Sequence, residues 1–469
     1  MAWQGWIDGF IWVSVVVIGL VFHRKLYTLV TQAAVLLFII QTAQVVYAGF
    51  SHSDRSAPPT KIAQLETLEQ LASFSAHQNI LHIVLDGFQS DFFDELIQHP
   101  QIGEDYHSKL SGFTFYRETL GIFPFTRFAV PAFLSGQLYK NEQPKNEFSS
   151  QSIAGDSLLN AAGVARMELD IASPEYWAQL YINADVTHSY VIPEGGHGTE
   201  FEFRLANTTR LLDLALFRVA PHFLKQKIYN NQRWLLTPML MDSEYLQFLY
   251  FAHTEFLNQL VEKMAVNRTT PTYKFFHVMN THNPMVVDGE CNYAGGALQT
   301  NRNTLLNQSK CTVDTVVRLL DKMKQLGVYD NSLIILHGDH GGWVRHRDYQ
   351  PEQVNQQQEI PFWAVSLGSP LLAIKPPGAK GALVTSDRLA SITDIADTVA
   401  DIMDWPQQFN GKSLLKLGES ETRTRYFYLY YWQKDAWEAD YTGPIQEFEI
   451  SGKHNSSEWI PKRVFEHQE

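Results

Sequence analysis

The sequence predicts an α/β fold: a mostly parallel sheet with helices on both faces. Beyond residue 78, short apolar runs alternate with amphipathic stretches at helical spacing. Several of those runs are followed at once by Asp, His or Thr beside Gly or Pro. Ligands of open α/β sheets gather outside the carboxyl ends of the strands, so these side chains are expected to meet there.

In chain order, residues 80–85 read as a strand, followed by a helical pattern through Leu96. Residues 274–279 form the next strand. Residues 313–326 are helical, with apolar positions at Val316, Val317, Leu319, Leu320 and Met323. Residues 332–336 and 361–367 read as strands, and 392–403 as a helix. The tail differs: residues 426–432 and 448–450 suggest strands of a small antiparallel subdomain over 419–469. The catalytic domain is thus expected over 78–418.

The 469 residues can bury one large core with additions. Apolar content of 45% and charged content of 19% suit a globular protein with some membrane-embedded sequence. A formal net charge of -13 offers no basic surface, which excludes nucleic acid as a partner. Cys291 and Cys311 are the only cysteines and lack C-x-x-C spacing, so a thiolate metal site is not expected. They form a disulfide if the domain lies outside the cytoplasm, and are otherwise two separate buried thiols.

Residues 1–50 are expected to hold transmembrane helices. Residues 6–22 make one apolar run, which either spans or lies in the interface, and His23-Arg24-Lys25 ends it. Residues 27–50 make a second run long enough to cross a bilayer. Trp3, Trp6 and Tyr47 read as interfacial anchors. The basic cluster places the turn in the cytoplasm, so the body of the chain faces the periplasm or the exterior. A cleaved leader fits poorly, because Asp8 stands where a basic region belongs. Two buried core helices are the alternative, and further spans upstream would suit a longer natural protein. Residues 51–60, with Pro58-Pro59, read as a linker, and 61–74 as a lead-in helix closing the 51–77 connection.

Four segments carry the chemistry. Leu336-His337-Gly338-Asp339-His340-Gly341-Gly342 places a carboxylate and an imidazole together at a strand end, as a divalent metal site needs. Asp86-Gly87 ends the first strand and could supply a matching carboxylate; alone, each pair also reads as a turn. Thr126 opens a helix with Pro131 inside, where the positive end of the helix dipole favours an alkoxide; a plain N-cap is the competing reading. His282, in Thr281-His282-Asn283-Pro284, could protonate a leaving oxygen or hold a phosphate, or be a structural loop histidine.

Taken together, these segments resemble the alkaline phosphatase and sulfatase superfamily, and most of all its membrane-anchored branch of lipoteichoic acid synthases and phosphoethanolamine or phosphoglycerol transferases. Residues 83–87 resemble its first metal motif and residues 333–341 its second. Thr126, ten residues before Gly136, resembles its nucleophile, and His282-Asn283-Pro284 its His-x-Pro motif. Glu359-Ile360-Pro361-Phe362, Asp394-Ile395 and residues 410–415 resemble later signposts, so the likeness runs in order over about residues 78–418.

The resemblance implies one divalent metal held by Asp86, Asp339, His340 and the Thr126 oxygen, with Thr126 as nucleophile and His282 and Arg127 touching substrate. Such mixed ligands suit manganese or zinc, with magnesium or calcium as alternatives. The implied partners are a membrane and a phospholipid donor or phosphate ester. The implied location is the plasma (inner) membrane, with the catalytic domain periplasmic or extracellular. Thr at 126 departs from the C-x-P-x-R context that sulfatases convert to formylglycine, and Asp86 departs from the Glu usual in the transferase branches. Transfer of a lipid-headgroup phosphate is the leading expectation. Hydrolysis of a phosphate or sulfate ester is the rival, and a silent lipid- or partner-binding membrane protein is a third reading.

Overall fold

The computed structural model describes residues 7–15, 17–22, 67–181, 184–192, 200–229, 234–236, 249–432 and 439–467, with a few isolated positions between them. The chain divides into two compact units, Met1–Gln64 with Gly195–Gln247, and Leu65–Glu194 with Phe248–Glu469.

The described part of the first unit is mostly helical. Residues 7–15 and 17–22 are helical with apolar side chains open to solvent, Phe10 at 73% and Leu20 at 71% exposure. Helices Glu200–Val219 and His222–Tyr229 complete it. Among the described residues, no helix is long and apolar enough to cross a membrane. The expected span over residues 27–50 lies, apart from isolated positions, outside the described residues, as do His23-Arg24-Lys25 and the linker at 51–60.

Among its described residues the second unit has fifteen strands: β1 (Ser73–Ser75), β2 (Asn79–Leu85), β3 (Thr114–Tyr116), β4 (Glu168–Pro174), β5 (His188–Ile192), β6 (Ala265–Arg268), β7 (Thr272–Val278), β8 (Met285–Val287), β9 (Tyr293–Leu298), β10 (Ser332–His337), β11 (Leu372–Lys375), β12 (Val384–Ser386), β13 (Thr424–Leu429), β14 (Ile445–Ser451) and β15 (Trp459–Phe465). The main sheet has eight strands in the order β12-β3-β11-β10-β2-β7-β4-β5. From β10 to β5 every pairing is parallel, and β11 alone runs against its neighbours.

The strands at the centre are buried on both faces, as a helix-covered parallel sheet requires. In β2 and β10, Leu81, Ile83, Leu85, Ile334 and Leu336 face one core, which holds the helices Ser90–Ile97, Leu249–Lys263 and Arg302–Gln325. Ile80, Val84, Leu333 and Ile335 face the other, which holds the helices Thr126–Ser135 and Asp394–Met403. The register aligns His337 with Val84, and Val84 with His277, so β10, β2 and β7 end at one level. That level brings the loops after them together.

Two expectations are corrected. Residues 361–367 do not form a strand: Phe362–Leu367 is a helix with Pro361 at its N-cap, and the next strand is β11. A short apolar run fits either state, and Pro361, with its fixed φ and missing N–H, is suited to a helix start. The lead-in helix does not reach residue 74 either. Its described part ends at Leu71, and Phe74 lies in β1, fully buried and paired in parallel with β6. The antiparallel subdomain is present as a three-stranded sheet, β13-β14-β15; β15, interrupted by Pro461, gave no legible strand pattern.

Candidate active site

Asp86 is the first residue after β2, and its backbone carbonyl accepts a hydrogen bond from Thr281 Oγ1 at 2.7 Å. Gly87, at φ 70°, makes the turn, and its N–H donates to Asp339 Oδ1 at 3.1 Å. This bond ties the β2 loop to the β10 loop. The latter is packed too closely for side chains: a Cβ on Gly341 would stand 2.0 Å from the Ser366 carbonyl oxygen.

These two loops bring Asp86, Asp339 and His340 into one buried cluster, with a ligand atom of each within 4.8 Å of the others. Thr126 joins them. It is the first residue of the helix Thr126–Ser135, whose N-cap is Phe125. Its hydroxyl therefore does not cap the helix but points into the cluster, 3.3 Å from Asp86 Oδ2, to which it donates, and 3.5 Å from His340 Nε2. All four side chains are buried.

The cluster fits a divalent cation. Asp86 Oδ1 and Asp339 Oδ2 are buried oxygens with no hydrogen-bond partner, which is costly unless a cation satisfies them. His340 Nδ1 lies 2.7 Å from the Gly341 carbonyl and donates to it, which leaves the Nε2 lone pair facing the carboxylates. Nε2 is 3.6 Å from Asp339 Oδ2 and 3.8 Å from Asp86 Oδ1. Burial lowers the pKa of His340, but the Asp339 and Asp86 charges outweigh it and the net shift is upward. For Asp86, burial acts upward, but the hydrogen bond from His277 and the charges of His282, His340 and His277 hold it well below the usual carboxylate range.

His277, on β7, was not foreseen. Its Nε2 lies 3.1 Å from Asp86 Oδ2, and its Nδ1 accepts the Tyr181 hydroxyl proton at 2.8 Å. All three groups are buried. In the sequence His277 is one of three polar residues in β7, with Thr272 and Lys274, and its meaning depends on β7 lying next to β2. Tyr181, on the helix Glu175–Tyr181, carries no sequence signal at all.

His282 lies in the loop after β7, half-buried, with Nδ1 bonded to the Asn283 carbonyl at 2.8 Å and close enough for its charge to act on Asp86. Arg127 is turned elsewhere: its guanidinium donates to Asn146 Oδ1 at 2.7 Å and also bonds Tyr176. His346 stands apart from the cluster, its Nδ1 accepting from the Asp348 N–H at 3.2 Å. Cys291 and Cys311 form a disulfide between the loop after β8 and the helix Arg302–Gln325.

Residues 224–405 match the family model described as Sulfatase. No curated protein matches the chain. Similar solved structures include an alkaline phosphatase superfamily protein from Vibrio parahaemolyticus, at 11% identity and TM-score 0.47, covering 86% of each chain. The lipoteichoic acid synthase LtaP from Listeria monocytogenes aligns at 10% identity and TM-score 0.46, covering 85% of this chain and 92% of LtaP. A phosphonate monoester hydrolase from Silicibacter pomeroyi aligns at 12% identity and TM-score 0.46, covering 83% of this chain and 89% of the hydrolase.

Proposed function

We propose, from a chain whose residues 224–405 match the Sulfatase family model, that this protein is a metal-dependent phosphotransferase. It would move a phosphoglycerol or phosphoethanolamine headgroup from a phospholipid onto an envelope glycan or lipid, through a covalent intermediate on Thr126. The observation that carries this reading is the Thr126 hydroxyl, buried at a helix N-terminus 3.3 Å from Asp86 Oδ2, among ligands suited to one cation.

Asp86 Oδ2 takes the Thr126 proton as Thr126 Oγ1 bonds to phosphorus and the phosphorus–oxygen bond to the lipid alcohol breaks. The helix N-terminus favours the developing alkoxide. His282, whose Nδ1 bonds the Asn283 carbonyl, donates a proton from Nε2 to the leaving oxygen. An acceptor hydroxyl then gives its proton to His282 and bonds to phosphorus as the phosphorus–Thr126 Oγ1 bond breaks and Asp86 returns the proton to Thr126. Asp86, Asp339 and His340 would hold a divalent metal, which when bound would supply positive charge to acidify the Thr126 hydroxyl and offset the phosphoryl oxygens. Thr at 126 argues against sulfatase chemistry, which needs a formylglycine precursor there.

The apolar, exposed helical residues 7–15 and 17–22 support anchoring at the plasma membrane, and the Cys291–Cys311 bond supports a catalytic domain on its periplasmic or extracellular side. Incubating the full chain and a divalent metal with headgroup-labelled phosphatidylglycerol or phosphatidylethanolamine tests the reaction. Diacylglycerol release with label on another alcohol is expected. Label recovered only as free headgroup phosphate makes the protein a hydrolase. Thr126→Ala should fold and lose turnover, and full activity in that variant overturns the mechanism.

A further inference from the structure

A row of aromatic rings leads outward from the catalytic cluster. Phe125, immediately before Thr126, lies with its ring centroid 6.4 Å from that of His340. Trp343, three residues after His340, follows at 6.0 Å, Trp363 at 5.7 Å from Trp343, and Tyr431 at 5.5 Å from Trp363. Trp343 is 46% exposed and Tyr431 59%, although a buried core lies directly beneath Trp363. Of the four rings, Trp343 and Tyr431 are the exposed ones and Phe125 and Trp363 are half-buried between the site and the core; clustered aromatic surface beside a reactive centre is a candidate ligand site.

We infer that this row is a carbohydrate subsite for an oligosaccharide acceptor, in which one sugar ring stacks on Trp343 with its hydroxyl directed at the phosphorus on Thr126 and a further ring stacks on Tyr431. The inference rests on the phosphotransferase reading for its acceptor, and on the row's own geometry for its binding. The first two rings sit on the two segments that hold Thr126 and His340, so a group bound there lies beside the reacting atoms. A sugar ring offers an apolar C–H face to an aromatic plane and keeps its hydroxyl edges in water, which suits rings that are half exposed. An acyl chain calls for a closed apolar trough. An anionic lipid surface calls for free cations, but Arg345 lies over the Tyr349 ring, Arg347 pairs with Asp94 and Asp348, and the chain carries a net charge of -13.

Equilibrium binding of laminarihexaose and maltohexaose to the full chain, followed by tryptophan fluorescence, tests the subsite. At least one oligosaccharide should bind. Trp343→Ala and Tyr431→Ala should each weaken it about tenfold, as loss of one stacking partner does, and Trp343→Phe should retain it within about threefold. Thr126→Ala should bind the sugar as wild type does, which separates this site from the chemistry. Failure of both sugars to bind, or equal binding by Trp343→Ala, overturns the inference. Binding to vesicles containing phosphatidylglycerol that is lost in Trp343→Ala, without sugar binding, also overturns it in favour of a lipid-facing belt. Turnover of headgroup-labelled phospholipid by wild type is scored separately: if it stands while sugar binding fails, only the subsite is lost.

Discussion

His277 Nε2 stands 3.1 Å from Asp86 Oδ2, while Oδ1 of the same carboxylate has no hydrogen-bond partner. One oxygen is thereby fixed by the His277 N–H and the other is left for a cation. Tyr181 donates to His277 Nδ1 at 2.8 Å and so fixes the tautomer that places the proton on Nε2. Supports of this kind are typically worth 10- to 100-fold in metal affinity. His277→Leu should weaken Mn²⁺ or Zn²⁺ binding by roughly that factor, measured by equilibrium dialysis. His277→Gln, which keeps an N–H donor, should recover most of it. Unchanged affinity in His277→Leu would remove His277 from the site.

Gly341→Ala probes the packing of the second metal loop. The added Cβ would meet the Ser366 carbonyl oxygen at 2.0 Å, a backbone atom held in the helix Phe362–Leu367 and unable to yield cheaply. Overpacking of this kind costs on the order of 1–3 kcal/mol or more. The loop must shift, and His340 with it, so metal affinity and urea stability should fall together. A stable variant with native affinity would show the contact to be soft.

The parts of this architecture legible in the sequence were those set by local pattern. The apolar runs of β2, β7 and β10 announced themselves because strands buried on both faces are largely apolar, and a reactive residue follows each within a few positions. Thr126 could be placed at a helix start from Pro131 and Gly136, but not distinguished from a cap. Only its position after Phe125, the true N-cap, turns the hydroxyl toward Asp86. His277 and Tyr181 were beyond reach, because their role depends on which strand neighbours β2 and on a helix nearly a hundred residues away in sequence. The short strands β3, β11 and β12 were missed for the same reason. At three or four residues, their state is decided by the sheet they join.

The Cys291–Cys311 bond closes a loop of 20 residues next to β8 and β9. A loop of that length is expected to contribute about 3 kcal/mol by restricting the unfolded chain. Replacing both cysteines by Ser should lower the free energy of urea unfolding by about that amount. Reductant should destabilise wild type but not the double variant. A reductant effect of equal size in both would place it elsewhere in the molecule.

His253, on the helix Leu249–Lys263, is fully buried, with neither ring nitrogen hydrogen-bonded. Burial, followed by the charge of His277, pushes its pKa down to about 3, with Asp86 opposing. The folded protein therefore leaves His253 neutral at pH values where the unfolded chain protonates it. Above the unfolded value near 6.5 both states are neutral and stability is unaffected. As pH falls from there toward 3, the unfolded state binds one more proton, and stability is lost at about 1.4 kcal/mol per pH unit. His253→Phe keeps a ring of similar width and cannot take up the proton. Urea unfolding of wild type and variant at pH 7 and pH 5 should give a shallower acid loss in the variant, by close to one proton. Parallel pH profiles would show that His253 is not held neutral in the fold.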